Sequence, residues 1–346
     1  MNDITHEAVG RAPPATLSKR IGVLAMRAFV RAGVLPFLLV IAFIVFGSLS
    51  NEFLTVSNLT NLLRQSVYLI LVALGQMLAL VTGGFDLSVG TTVAITSVVS
   101  ASVMSAMVAG ADPAWGAIAA GCAAGLLAGM AVGLINACGI ALAGVSPFIM
   151  TLGVQSIGLG IALTLTGGVP VSGLPAAFGD LFGFGSVFGV PLPVLVTFVS
   201  AAVLYVMMTR TAIGNYFLAV GGNAKAAALS GVNTTRVLMA AYVICALFAS
   251  ISGLLLTARV GSGEANLGGT IALESIAACV IAGVSLRGGA GRVENVVLGA
   301  IFIGVVQNGM NLTGVRSYLQ MVVLGSLLIF AVVADRIRHR FSRGAS

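Results

Sequence analysis

The sequence predicts an all-α, polytopic membrane protein of about ten transmembrane or re-entrant helices, with a possible internal repeat. Three observations predict it. Of the 346 residues, 58% are hydrophobic and only 8% are charged, and the mean hydropathy is +1.10, a balance that belongs to chains spending most of their length in lipid. Glycine is abundant, at 45 residues, while aromatics make up 7%, which suits helices in close contact through small residues better than a barrel girdled by aromatics. Finally, apolar runs recur near 32–50, 66–82, 91–110, 114–138, 148–167, 191–208, 237–257, 272–286, 293–311 and 317–334. The run at 272–286 is short for a full crossing and reads equally as re-entrant.

An even number of crossings puts both termini on one side, and the basic residues choose which. With the termini inside, only Arg64, Arg259 and Arg316 of the 17 lysines and arginines fall outside. The expected organisation is therefore a cytoplasmic basic tail over 1–31, a transmembrane domain over 32–334 and a second cytoplasmic basic tail over 335–346. The net charge of +7 is explained by this topology, so no nucleic-acid partner is expected, only membrane lipid. Pro13 and Pro14, ahead of the first apolar run, argue against a cleavable signal. Cys122, Cys138, Cys245 and Cys279 lie in apolar runs without a C-x-x-C pair and read as small packing residues. His6 and His339 sit in the tails, and neither metal nor cofactor is expected.

Two connections stand out by length. The outer one, Gly167 to Pro193, has almost no charge and is rich in glycine and phenylalanine, so it is expected to pack over the membrane domain. The inner one, within 209–236, is the most polar internal stretch and the natural place for a soluble partner to dock. A repeat runs alongside: GFDLSVG, Gly84 to Gly90, aligns without gaps with GVSLRGG, Gly283 to Gly289. Duplicated halves with broken helices are common in transporters.

Asp86 is the sharpest residue of that repeat, because a carboxylate at membrane depth costs several kcal/mol unless it meets water, a partner or backbone donors. Gly83 and Gly84 open the chain there, and Asp86 or Ser88 can accept amide hydrogens from the turn that starts the next helix. Two roles stay open for Asp86, a structural cap or direct contact with a polar substrate or proton. Glu274 and Glu294 each open an apolar run and read as first-turn acids favoured by the helix dipole, or as proton-coupling groups. Gln76, Asn136, Gln155, Glu274, Gln307 and Asn308, with Asn311, form a possible hydrophilic pathway, or bond from helix to helix.

The segment LGQMLALVTGGFDLSVG resembles the G-G-[IF]-D-L-S-V-G signature of the ribose-type permeases, membrane subunits of ATP-binding-cassette importers for monosaccharides. The same family pattern continues in SPFIMTLG with LTGG at Ser146 to Gly168, in AVGGNAKAAALSGVNTTRV at Ala219 to Val237, and in ALESIAACVIAGVSLRGGAGRV with QNGMNLTGV at Ala272 to Val315. The resemblance spans the chain from about residue 30 onward. It makes Gly83, Gly84, Asp86, Ser88 and Gly90 the signature turn. It also likens KAAALSG, Lys225 to Gly231, to the family's E-A-A-x-x-x-G loop that engages the ATPase, so that Gly221, Gly222, Asn223, Lys225, Ala226, Ala227 and Gly231 form the coupling segment. This chain departs from the pattern with lysine at 225 where glutamate is usual, glutamate at 274 for aspartate, and Asn295-Val296 for Gly-Thr.

What the resemblance implies is a permease in the bacterial inner membrane working by alternating access. A second permease subunit, a periplasmic sugar-binding protein and cytoplasmic ATP-binding subunits would be its partners. The chain has no G-x-x-x-x-G-K-[ST] loop, so the ATPase would be a separate protein and this subunit not an enzyme. The rival reading is a proton-coupled secondary transporter built on Asp86, Glu274 and Glu294. An intramembrane enzyme lacks support, since no H-E-x-x-H, paired aspartates or Ser/His arrangement occurs in the spans.

Overall fold

The computed structural model describes residues 35–108 and 114–343. The expected tail over 1–31, with Arg11, Lys19, Arg20, Arg27 and Arg31, lies outside the described residues. Twelve helices make up the described chain: α1 (Leu35–Leu49), α2 (Val56–Val81), α3 (Val89–Met107), α4 (Trp115–Ala141), α5 (Pro147–Thr166), the short α6 (Ala176–Phe178), α7 (Leu192–Arg210), α8 (Ala212–Leu229), α9 (Thr234–Val260), α10 (Ile271–Ile281), α11 (Val293–Leu312) and α12 (Ser317–Arg343). Among the described residues seven helices are long and apolar enough to cross a membrane, namely α2, α3, α4, α5, α7, α9 and α11, and three shorter apolar stretches lie in α1, α10 and α12. Among the described residues each apolar run read from the sequence thus holds a helix, the run at 272–286 only as far as Ile281. The last helix runs on to Arg343, past the expected domain end at 334.

Helix α2 is the centre of the fold, packed against α7, α9, α10 and α11 and buried from Ser66 to Val81. It starts ten residues before the apolar run at 66–82, because Thr55 caps it by accepting from the Asn58 N–H at 3.3 Å. Its first turns, with Ser57, Asn58, Thr60 and Asn61, are too polar for a hydropathy window. Asn58 and Asn308 then exchange two amide hydrogen bonds of 2.9 and 3.0 Å, which ties α2 to α11.

Glycine does in the tertiary structure what its abundance predicts. Gly121, Gly125, Gly129 and Gly133 recur every fourth residue on one face of α4, which packs against α3 and α9. A Cβ on Gly129 would overlap both the Ser250 and Thr96 hydroxyls, and one on Gly133 would overlap the Ala246 methyl.

The short run at 272–286 has a structural explanation. After α9 the chain folds back as a strap of turns over 261–270: Gly263 lies against Ala101 of α3 and Gly268 against Gly90, a descent of about 16 Å along α3 at the usual helical rise. Helix α10 therefore has only the remaining depth to cover, and 11 residues suffice. Non-helical backbone at such depth needs partners. Gly263 and Val171 of the outer connection exchange two 2.9 Å backbone bonds, and the Ser97 hydroxyl accepts from the Glu264 N–H at 3.2 Å. The rest of that outer connection packs through a π-helical turn, Gly179–Gly183, against α9 and ends in a two-stranded hairpin, Ser186–Val187 with Val190–Pro191.

The two copies of the repeat share their turn chemistry. Gly83 (φ +89°) and Gly283 (φ +82°) end α2 and α10 in the left-handed conformation, each donating its N–H to the carbonyl three residues back. The Asp86 carboxylate accepts from the Ser88 N–H, and the Ser285 hydroxyl accepts from the Arg287 N–H. The helix-ending glycines match 83 to 283, whereas the side-chain acceptors match 86 to 285. The first turn is therefore one residue longer than the second, and the gapless alignment holds only for its latter half.

Candidate functional site

Two clusters carry the residues that the sequence singles out. The first is the signature turn. Asp86 is 0% exposed, and its Oδ1 accepts from the Ser88 N–H (2.8 Å) and the Ser88 hydroxyl (2.6 Å). The Asn136 amide of α4 donates to the Ser88 Oγ at 2.6 Å and reaches Asp86 Oδ2 at 3.5 Å. The Gln76 side chain of α2, oriented so that both its ends are satisfied, donates to the Asp86 carbonyl (3.0 Å) and accepts from the Asp86 N–H (3.1 Å). Gln76 lies five residues before the end of α2, so the turn folds back about 8 Å along that helix before α3 begins.

Each signature glycine meets a different demand. Gly83 has φ +89°, a Cβ on Gly84 would overlap the Tyr242 hydroxyl and crowd Pro147, and one on Gly90 would overlap the Gly268 carbonyl. Tyr242 is part of this cluster although the sequence offers no signal for it, being one aromatic in a long apolar helix. Asp86 thus meets the description of an internal cap, with donors from its own turn and from α4. Ser88 occupies the N-cap position of α3 but makes no side-chain capping bond.

The second cluster is the inner segment. It is not a loop but helix α8, broken at Asn223, whose φ of −159° and ψ of 97° separate a first section from a short helix over 224–229. Asn223 caps this short helix by accepting from the Ala226 N–H at 3.0 Å. Gly231, with φ +85°, ends it, and the Val232 N–H donates back to the Ala227 carbonyl at 3.0 Å. Ala227 is buried, Lys225 and Ala226 are exposed, and Leu229 is 91% exposed. Leu229 is thus an apolar side chain held far out on a short capped helix, and sequence reasoning did not single it out.

The possible pathway residues separate. Glu274 and Gln307 line one open cavity of about 250 Å³ together with Thr270, Ser317 and Gln320, flanked by leucines and Met321. Within it the Glu274 carboxylate accepts from the Thr270 hydroxyl at 2.8 Å. Gln76, Asn136 and Asn308 are instead engaged in the internal bonds described above, and Gln155 on α5 is not among the residues lining this cavity. Glu294 lies in the first turn of α11.

The branched-chain amino acid transport system / permease component family matches residues 58–332. The chain belongs to this permease family. Similar proteins include the D-allose transport system permease protein of Escherichia coli K12, 37% identical over 302 residues that cover 87% of this permease and 90% of the relative. The ribose import permease protein of Bacillus subtilis 168 is 38% identical over 303 residues, covering 87% and 92%. The galactose/methyl galactoside import permease protein of Haemophilus influenzae Rd is 36% identical over 301 residues, covering 83% and 88%. No solved structure matches the permease significantly. Family and helices together make it a multi-pass membrane transport permease rather than an enzyme.

Proposed function

We propose that the permease is the membrane-spanning subunit of an ATP-binding-cassette importer that passes a monosaccharide across the bacterial inner membrane. A periplasmic binding protein delivers the sugar, a second permease subunit completes the pathway, and separate cytoplasmic subunits hydrolyse ATP. The observation that carries this reading is the short helix over 224–229, capped at both ends and offering Lys225 and Leu229 outward, in a chain without a phosphate-binding loop of its own. The relatives named as ribose, allose and galactose permeases support the sugar class. The cavity of Glu274 and Gln307, with a carboxylate, two amides and two hydroxyls among apolar walls, has the mixed lining a sugar needs, and we assign these residues to the pathway.

Against the proton-coupled alternative, the hydrogen bonds that the Asp86 carboxylate accepts from Ser88, with the Asn136 amide beside it, support its role as a cap. Vesicles holding the permease, its ATPase and the binding protein are expected to take up labelled ribose, allose or galactose only with internal-facing ATP, and to keep doing so with an uncoupler. Uptake without the ATPase, driven by an imposed proton gradient, would overturn the reading.

The orientation follows from the distribution of lysine and arginine. A cysteine at Ala224 is expected to react with an impermeant thiol reagent from the cytoplasmic side only, and one at Ser186, in the hairpin, from the periplasmic side only. Reaction of both from one side would reverse the assignment.

A further inference from the structure

The three segments that the charge pattern puts on the inner side meet backbone to backbone. The Gly289 N–H donates to the Val81 carbonyl at 2.8 Å, so the turn after α10 satisfies a carbonyl at the end of α2 that the helix itself leaves unpaired. The break in α8 is fitted into the same place. A Cβ on Gly221 would overlap the Val81 carbonyl oxygen and stand 2.7 Å from the Gly289 nitrogen. From the other side, a Cβ on Gly288 would lie 2.7 Å from the Gly221 oxygen, and one on Gly289 would lie 2.9 Å from the Gly222 Cα. Gly288 and Gly289 also hold φ of +86° and +76°. Three glycines, Gly221, Gly288 and Gly289, therefore let α8 interlock with the ends of both repeat helices with no side chain between them, immediately before Asn223 starts the short exposed helix, whereas a Cβ on Gly222 would meet only the Gly289 Cα, at 4.0 Å.

Contacts between long side chains yield by changing rotamer, whereas backbone against backbone has no such slack. We propose that Gly221, Gly288 and Gly289 form a rigid joint that delivers displacement of the 224–229 helix to α2 and α10 together. This inference rests on the reading of that helix as the ATPase contact. The glycines are positioning residues: they touch neither ATPase nor substrate. The joint lies at the inner end of α10, whose other end carries Glu274 and the polar cavity, so a push on the short helix reaches the pathway through one 11-residue helix.

The test is Gly289→Ala in the assembled importer. Co-purification with the ATPase is expected to stay within about twofold of the unmutated protein while ATP-driven sugar uptake falls at least tenfold, the signature of a broken transmission. Normal uptake by Gly289→Ala would overturn the joint and leave the ATPase contact standing. Loss of ATPase binding in step with uptake would also overturn it, since the glycines would then only shape the docking surface. A second measurement does not depend on that variant folding. Spin labels on cysteines at Ala228 and Ala290, with Cys122 and Cys138 replaced by alanine, are expected to keep one separation with and without nucleotide, while the separation from Ala228 to a label at Ala143 changes. A nucleotide-dependent change between Ala228 and Ala290 would sink the proposal. Failure of the unmutated permease to bind any ATPase would count instead against the reading beneath it.

Discussion

Replacing Asp86 with alanine is expected to lower the stability of the permease by about 3–5 kcal/mol, because it leaves the Ser88 amide and hydroxyl without their acceptor in a site that excludes water. The carboxylate is fully buried, and both donors point at a single oxygen. Asp86→Asn should cost less, about 1–3 kcal/mol: the amide oxygen can still accept from Ser88, but its nitrogen then faces the Asn136 amide, donor against donor. Thermal unfolding in detergent would give the order unmutated, Asn, Ala. Uptake by whichever protein folds should remain indifferent to an uncoupler while ATP is held constant. If Asp86→Asn is as stable as the unmutated protein and uptake collapses with the uncoupler, the carboxylate is carrying protons and the cap is incidental.

The second large effect is expected at the short inner helix. Leu229→Asp should weaken ATPase association at least tenfold, since a leucine 91% exposed in the isolated permease gains about 1.5–3 kcal/mol if a partner covers it, and an aspartate there would have to be desolvated. The membrane domain should be unaffected, because the side chain reaches away from it. Gly231→Leu acts differently. No neighbour lies within 4 Å of the missing Cβ, so the cost is the left-handed backbone at φ +85°, about 1–2 kcal/mol, concentrated in the last turn that orients Leu229. Lys225→Glu, which restores the residue usual in this family, should be tolerated, as position 225 is solvent-exposed. Co-purification of the ATPase with tagged permease would read all three variants, and unchanged recovery with Leu229→Asp would remove this helix from the contact.

That the chain is helical and membrane-spanning is decided residue by residue, by apolar runs of a length that lipid demands, and a helix occupies each of those runs, with the largest differences at the start of α2 and the end of α12. Asp86 is legible for the same reason, as a charge in an apolar stretch is costly wherever it lies. The start of α2 is not legible, because Asn58 and Asn308 satisfy each other only once α11 is alongside.

The helical class, the approximate spans and the presence of a turn around Gly83, Gly84 and Asp86 are legible in the chain, since each depends on local composition and on the cost of exposing polar groups to lipid. Packing in three dimensions is what folds the turn back onto Gln76, brings the 261–270 strap down along α3 to shorten α10, closes Tyr242 over Gly84 and interlocks Gly221 with Val81 and Gly289. All four involve main chain or a glycine meeting a segment that folding brings alongside. A glycine reads the same whether it faces lipid or another main chain, and only the arrival of the second chain segment tells them apart.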